Sequence, residues 1–308
     1  MGKIPKTVLI YSIVDQRLIF WYAAWHYYIK PVVMKVLIPT PAKLLLLLAF
    51  LYTATNVNAN PVFHDADAIK TIMSYKISTA AVVSRTVAAE KATATAAARA
   101  ARKAEMRMIV ATASSIYEEM DLEDSGLSRK AFEYAWTGYY KLKKKGLLHR
   151  TGILSICDFS QSSSNQRMYV IDVRNRRLLY RTYVAHGINS GEEFASSFSN
   201  REESCKSSLG FYITTRTYTG MNGLSLRIEG VDKGFNDHAS RRNIVIHGAS
   251  YVSLRILHKY GVMGTTFGCP AIPDEMSSQI IPVVKNGSCF FIYYPSKKYL
   301  AQSPVLNG

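Results

Sequence analysis

Two short segments of the 308-residue chain carry residue types able to do nucleophilic chemistry. Asn243-Ile244-Val245-Ile246 reads as a strand that ends on His247-Gly248. Cys269 follows His247 by twenty-two residues, inside Thr265-Thr266-Phe267-Gly268-Cys269-Pro270. A strand end holds an imidazole rigidly, and the glycine after it lets the backbone turn away. A cysteine after glycine sits where the chain bends sharply and can present its sulfur beside backbone N–H groups. Cys and His together suffice for acyl transfer: the imidazole takes the thiol proton and the thiolate attacks a carbonyl. On spacing alone the plain alternative also stands, with Cys269 a small buried hydrophobe and His247 a satisfied strand-end histidine. His186 is a second candidate imidazole, since it too follows a strand-like run and precedes Gly187. His238 lies in a polar stretch and reads as a loop residue. The chain has no HExxH and no zinc-type Cys/His spacing, so neither a metal nor a cofactor is expected.

The elements that must position these residues are mostly strands. Residues 152–159, 167–173, 177–185, 211–215, 225–229, 243–246 and 288–294 are strand-like, with an Arg174-Asn175-Arg176 turn between the second and third. Short strands separated by Gly/Ser/Asn loops, with few helices between them, predict a mainly antiparallel β-sandwich or barrel. Ahead of it, Ser128 can cap a helix carrying Phe132, Ala135, Trp136, Tyr139, Tyr140 and Leu142 at helical spacing. Lys141, Lys143, Lys144 and Lys145 crowd its last turn, and Gly146 ends it. The aromatic stripe is read as packing. Residues 60–118 are rich in Ala and Thr, with no Gly or Pro between Val62 and Gly126. This stretch is expected to be a helical or partly disordered spacer with little to offer a core.

The N-terminus reads as an address. Leu44 to Tyr52 is apolar, too short to span a bilayer, and suits the hydrophobic core of a secretory signal. Lys35 and Lys43 precede it, and Val57-Asn58-Ala59 is a small-residue cleavage pattern, so cutting is expected after Ala59. No cysteine follows at lipoprotein spacing, because the first is Cys157. Residues 1–33, ahead of Met34, are expected to be an over-extended start or an N-terminal anchor. Asp15, Gln16 and Arg17 in the middle of its apolar run make a poor spanning helix. The expected division is thus 1–33, a signal peptide at 34–59, an Ala-rich spacer at 60–124 and a catalytic domain at 125–308.

The whole chain has 38 Lys+Arg against 22 Asp+Glu, a formal net charge of +16. Without residues 1–59 it has 32 basic against 21 acidic residues, a net +11. Such a protein is drawn to polyanionic surfaces such as an envelope. Zinc-finger spacing, RNP-type aromatics and basic heptads are all missing, so no nucleic-acid partner is expected. A membrane contact is expected only through the signal or the possible N-terminal anchor.

The run from Asn243 through His247-Gly248-Ala-Ser-Tyr251, together with Phe267-Gly268-Cys269-Pro270-Ala271-Ile272, resembles the L,D-transpeptidase (YkuD-type) family. It is most similar to the murein L,D-transpeptidase catalytic domain branch. His186-Gly187-Ile-Asn189-Ser190-Gly191, Phe198-Ser199-Asn200, Ser207-Ser208-Leu209-Gly210-Phe211-Tyr212 and Gly223-Leu224-Ser225-Leu226-Arg227 fit the same branch, over residues 127–303. The resemblance implies a YkuD-like β-domain and a periplasmic cysteine enzyme acting on peptidoglycan stem peptides. Cys269 would attack the carbonyl of the third residue, usually a diamino acid, and release D-alanine. An amine of a second stem would then take the acyl group, or water would, which makes an L,D-carboxypeptidase. By the same analogy His247 is the base, oriented by a backbone carbonyl near Gly248, with N–H groups around Gly268 and Cys269 stabilising the oxyanion. His186, Ser208, Thr266 and Phe267 are the expected substrate-binding positions, Ser208 belonging to a turn that shapes the cleft wall.

The chain departs from the family pattern in places. The common Ser/Thr-His-Gly before the nucleophile is Thr266-Phe267-Gly268 here. The branch's usual Arg-Ser is Thr265-Thr266, which removes a guanidinium that could pair with a substrate carboxylate. Pro270-Ala271 replaces a polar pair. A catalytically weak envelope-binding module of the same fold, or a cysteine peptidase for another envelope peptide, therefore remain as alternatives. Cys157, Cys205 and Cys289 could form one disulfide in an oxidising compartment. Cys157 and Cys289 are also simply read as core residues.

Overall fold

The computed structural model describes residues 66–308. The signal-peptide, over-extension and anchor readings, on residues 1–59, lie outside the described residues. The chain divides into two compact units, residues 1–89 and 90–308. The described part of the first is helical and belongs to α1 (Ala66–Glu119). Within the second unit, residues 90–104 of α1 are exposed throughout. Alanine gives them helix propensity but no apolar stripe to bury. Helical apolar spacing resumes at Ile109, Ala113, Ile116 and Tyr117, all buried. The end of the presumed spacer is thus part of the core, contrary to the sequence expectation. Among the described residues no helix is long and apolar enough to cross a membrane.

α2 (Arg129–Lys144) begins where Ser128 Oγ accepts the Ala131 N–H at 3.4 Å and ends with Lys141, Lys143 and Lys144 in its last turn. Phe132, Ala135, Tyr139 and Leu142 are buried on its core face. The strands are β1 (Ile153–Asp158), β2 (Met168–Asp172), β3 (Arg177–Thr182), β4 (Gly210–Gly220), β5 (Gly223–Gly230), β6 (Val245–Ala249), β7 (Ala271–Pro273) and β8 (Cys289–Tyr293). They form one sheet in the order β3-β2-β1-β8-β4-β5-β6-β7. All pairs are antiparallel except β1 with β8 and β6 with β7. Just past β3, Ala185 bridges Ala271 of the opposite edge strand, so the sheet nearly closes into a barrel. Phe211 stacks on Phe291, centroids 4.0 Å apart, on the sheet face where the Phe211 ring meets Gly138 of α2, while Tyr212 and Phe290, next to them in β4 and β8, are buried on the other face.

Two sequence expectations need correction. β6 starts at Val245 and runs to Ala249, so His247 lies inside the strand rather than after its end. Residues 271–284, to which the sequence assigned no element, hold β7 and then α4 (Asp274–Val284), after the shorter α3 (Leu254–Tyr260). A three-residue strand is too short to show alternation, and Pro282 inside α4 masks its helical pattern. At the C-terminus, α5 (Lys297–Gln302) and α6 (Pro304–Asn307) are tied down by buried Asp232. Its carboxylate accepts from the Tyr299 hydroxyl at 2.8 Å, the Val305 N–H at 3.2 Å and the Phe211 N–H at 2.9 Å.

Candidate active site

β6 and β7 lie side by side and parallel, with His247 opposite Ala271. Cys269 stands two residues before Ala271, so the turn into β7 delivers the thiol to the edge of β6. There Cys269 Sγ accepts the Val245 N–H at 3.5 Å and donates to Asn243 O at 3.7 Å. No hydrogen bond joins Cys269 to His247; the thiol points along the start of β6 instead. Burial pushes the Cys269 thiol up, opposed by the Val245 hydrogen bond and the positive charge of Arg242. Tyr251 is pushed up to about 12, by burial first and then by negative charge at Cys269 and Asp274.

The turn itself is built by Thr266 and Gly268. Thr266 Oγ1 donates to Cys269 O at 2.8 Å and accepts the Gly268 N–H at 2.9 Å. Gly268 has φ +123, and a Cβ there would sit 2.8 Å from Lys206 O and 3.0 Å from Arg242 Nη2. Only glycine fits that conformation and that space. Of the two N–H groups expected near the oxyanion, Gly268 N–H is therefore already engaged. Cys269 N–H meets no acceptor among the described residues. Phe267, at the tip, is 78% exposed, two residues before Cys269.

His247 is buried, and its Nδ1 lies 2.7 Å from Gly248 O. A carbonyl can only accept, so Nδ1 carries the proton and Nε2 of the neutral ring keeps its lone pair. Gly248 lets α4 come close, since a Cβ there would be 2.6 Å from Asp274 Oδ1. His186 is placed differently. It is 1% exposed, with Nδ1 accepting from Arg167 Nη2 at 2.7 Å and Nε2 donating to Gly191 O at 3.0 Å. Its pKa is lowered to about 4, by burial first and then by the Arg167 charge. Both ring nitrogens are spent inside the protein, and what His186 offers the site is its backbone: His186 O accepts the Thr266 N–H at 2.9 Å. Thr266 O in turn accepts the Ile188 N–H at 2.7 Å.

Ser208 is also buried, with its hydroxyl donating to Ser199 O at 2.8 Å and accepting from Arg242 Nη1. Arg242, which sequence reasoning passed over, also donates to Ser199 O at 2.8 Å and Lys206 O at 2.6 Å. It thereby holds the 199–208 loop against the turn that carries Cys269. Nothing in its local pattern marks it, because its partners come from a loop more than thirty residues away. Arg167 was missed because it reads as the polar first residue of a strand-like run, and its partners Gln161, Val184 and His186 are brought to it only by the fold. It is fully buried, donates to Val184 O and lies 4.7 Å over the Phe159 ring. All four cysteines are free thiols, and Cys157 and Cys289 lie in the core. Among the described residues no cluster of His, Cys, Asp and Glu could hold a metal ion.

The family model for the L,D-transpeptidase catalytic domain matches residues 123–293, more than half of the chain. The chain belongs to this L,D-transpeptidase catalytic domain family. The matched span contains the Cys269 turn, His247 and the whole eight-stranded sheet. No curated protein matches. Among solved structures, an L,D-transpeptidase from Mycobacterium smegmatis is 10% identical, covering 46% of this chain and 59% of its own, with a TM-score of 0.30. One from Xylanimonas cellulosilytica is 15% identical over 46% and 60%, with a TM-score of 0.28. The helical cell shape determining protein Pgp2 of Campylobacter jejuni is 15% identical over 52% and 57%, with a TM-score of 0.32. The chain thus spans less than two thirds of the length of each of these structures. Membership in the L,D-transpeptidase family rests on the catalytic-domain match.

Proposed function

We propose that this protein is an exported, periplasmic cysteine acyltransferase of the peptidoglycan, acting on stem peptides. The single observation that carries the reading is the pair of supports around the thiol. The Thr266–Gly268 turn presents Cys269 at the edge of β6, and on that strand His247 keeps Nε2 free to accept a proton. The thiol first turns from Asn243 O toward His247, its proton passes to Nε2, and the thiolate adds to the carbonyl of the diamino acid at the third position of the stem. Cys269 N–H faces the developing oxyanion, a contact of a kind worth about 3 kcal/mol in other acyl-transfer enzymes. When the C–N bond to D-alanine breaks, the imidazolium returns its proton to the leaving amine. A second stem's amine then attacks the thioester, giving its proton to His247 and forming the cross-link. Sulfur leaves as thiolate and is reprotonated. With water in place of the amine, the same steps give an L,D-carboxypeptidase.

Burial, which favours the protonated thiol, supports the second reading of a slow or non-catalytic envelope-binding module. The deciding experiment incubates the protein and Cys269→Ala with a tetrapeptide muropeptide and follows products by mass spectrometry. Cysteine-dependent release of D-alanine establishes the enzyme, and a dimer or tripeptide product names the acceptor. Unchanged substrate with both proteins rejects the acyl-transfer reading in favour of binding.

A further inference from the structure

The second half of α1 separates its charges. At about 100° of turn per residue, Arg99, Arg102, Lys103, Met106, Arg107 and Val110 fall within about 140° of the helix circumference. The two acids of residues 90–110, Glu90 and Glu105, fall outside that arc. Arg99, Lys103 and Arg107 are exposed, and so is Val110, at 39%. Among the described residues these three cations take part in no ion pair.

At the Arg102 edge of the arc a cavity of about 480 Å³ opens between α1, the C-terminal end of α2 and Gly308. Its charged lining is Arg102, Lys141, Lys144 and Lys145 against the single acid Glu105. Its apolar lining is half-buried Met106 and fully buried Ile109. Lys144 pairs with Glu105. Arg102 donates to Asn307 O and Lys141 donates to Leu306 O. Those two contacts hold the side chains in place without neutralising them, because a carbonyl carries no net charge. The cations also act on one another: burial first, then the Arg102 and Lys145 charges, push the Lys141 amine down, with Glu105 opposing.

Cations gathered beside apolar side chains match an anion that carries an apolar body. A phospholipid is such a molecule: its phosphate meets guanidinium and ammonium groups, and the upper part of its acyl chain covers the apolar side chains. A purely polar polyanion would leave Met106, Ile109 and Val110 uncovered. We infer that this cavity and the cationic flank of α1 form a docking surface for a bilayer rich in anionic phospholipid. Arg99, Lys103 and Arg107 lie on its headgroups, one phosphate sits at Arg102, Lys141 and Lys145, and Val110 enters the interface. The surface shares no residue with the Cys269 turn, β6 or the 199–208 loop, so the inference does not rest on acyl transfer.

Flotation of the full chain with vesicles tests it, comparing phosphatidylcholine alone with equimolar phosphatidylglycerol and phosphatidylcholine. The protein should bind the anionic vesicles tighter by about tenfold or more, and less so as salt rises. The triple variant Arg99→Gln/Lys103→Gln/Arg107→Gln should lose about tenfold or more on the anionic vesicles and nothing on the neutral ones. Lys145→Gln should give a smaller loss in the same direction, and Val110→Ser should also weaken anionic-vesicle binding. Whatever residues 1–65 contribute is common to parent and variants. Thermal unfolding of each variant separates a lost contact from a lost fold. Equal binding to the two kinds of vesicle overturns the surface, as does an undiminished anionic preference in the folded triple variant. Charge-dependent binding that Val110→Ser leaves unchanged overturns the lipid assignment and makes a polar polyanion, such as a DNA duplex, the partner.

Discussion

Thr266 Oγ1 donates to the carbonyl of Cys269 at 2.8 Å, and the same oxygen accepts the Gly268 N–H at 2.9 Å. One hydroxyl thereby closes the turn that carries the thiol, from a residue only 7% exposed. The geometry gives the hydroxyl at this position a role in shaping the backbone around Cys269. A valine would keep the shape and lose both hydrogen bonds.

Thr266→Val is expected to lower stability by about 1–3 kcal/mol, the usual cost of leaving buried hydrogen-bonding groups unpaired. It should also slow acylation of Cys269 by a carbapenem by more than tenfold, while Thr266→Ser retains both properties. Denaturant unfolding and intact-mass kinetics on the three proteins check this. Equal acylation rates in all three would show that the turn does not depend on the hydroxyl.

Gly268→Ala should be more damaging. The new methyl would meet Lys206 O and Arg242 Nη2 in a backbone conformation with φ +123. Backbone strain of this kind costs about 1–3 kcal/mol before the clash is counted. The 199–208 loop should loosen together with the turn. Hydrogen exchange at residues 199–208 and 265–270 reads this, and unchanged protection in both segments would contradict the coupling.

The raised Cys269 thiol and the nearby Arg242 charge predict a pH dependence for alkylation. Because burial favours the protonated thiol, the iodoacetamide rate should still be climbing at pH values where an ordinary cysteine is fully thiolate. Arg242→Gln removes a positive charge that lowers the pKa, so the midpoint should move further up. A midpoint that stays put or falls in Arg242→Gln would rule out the charge as a stabiliser of the thiolate. Loss of carbapenem acylation in His247→Ala, with slow alkylation retained at high pH, would separate the base from the sulfur.

His186 should make the fold acid-sensitive. Its folded pKa is about 4 against an ordinary 6.5, so the unfolded chain binds a proton first as pH falls. The stabilisation is fully present above pH 6.5 and is lost progressively down to about pH 4. The difference of two and a half units corresponds to about 3 kcal/mol. Denaturant midpoints across this range, compared with His186→Asn, should show a smaller acid slope in the variant. Parallel slopes would place the acid sensitivity elsewhere.

Much of this architecture is legible in the sequence because local pattern and tertiary role agree. Ser128 caps α2, and the strand-like runs at 152–159, 167–173 and 288–294 became β1, β2 and β8, since apolar runs bounded by turns have few other ways to be buried. His247 and Cys269 stand out because glycines flank them. Less legible was the end of α1, where Ile109, Ala113, Ile116 and Tyr117 are too few to stand out against an alanine background. β7 escaped notice because three residues are too short to show a period.

By itself, the sequence determined most of the element types, the family pattern and which cysteine and histidine stand as candidates, all of which are written in local spacing and residue type. The tertiary structure decided which histidine is spent: His186 and His247 each precede a glycine, but buried Arg167 occupies one ring and a single carbonyl orients the other. It also decided that Arg242 holds the 199–208 loop against the turn that carries Cys269. Those placements follow from sheet register and near-closure of the barrel, which bring together residues far apart in the chain and so leave no trace in any short window of sequence.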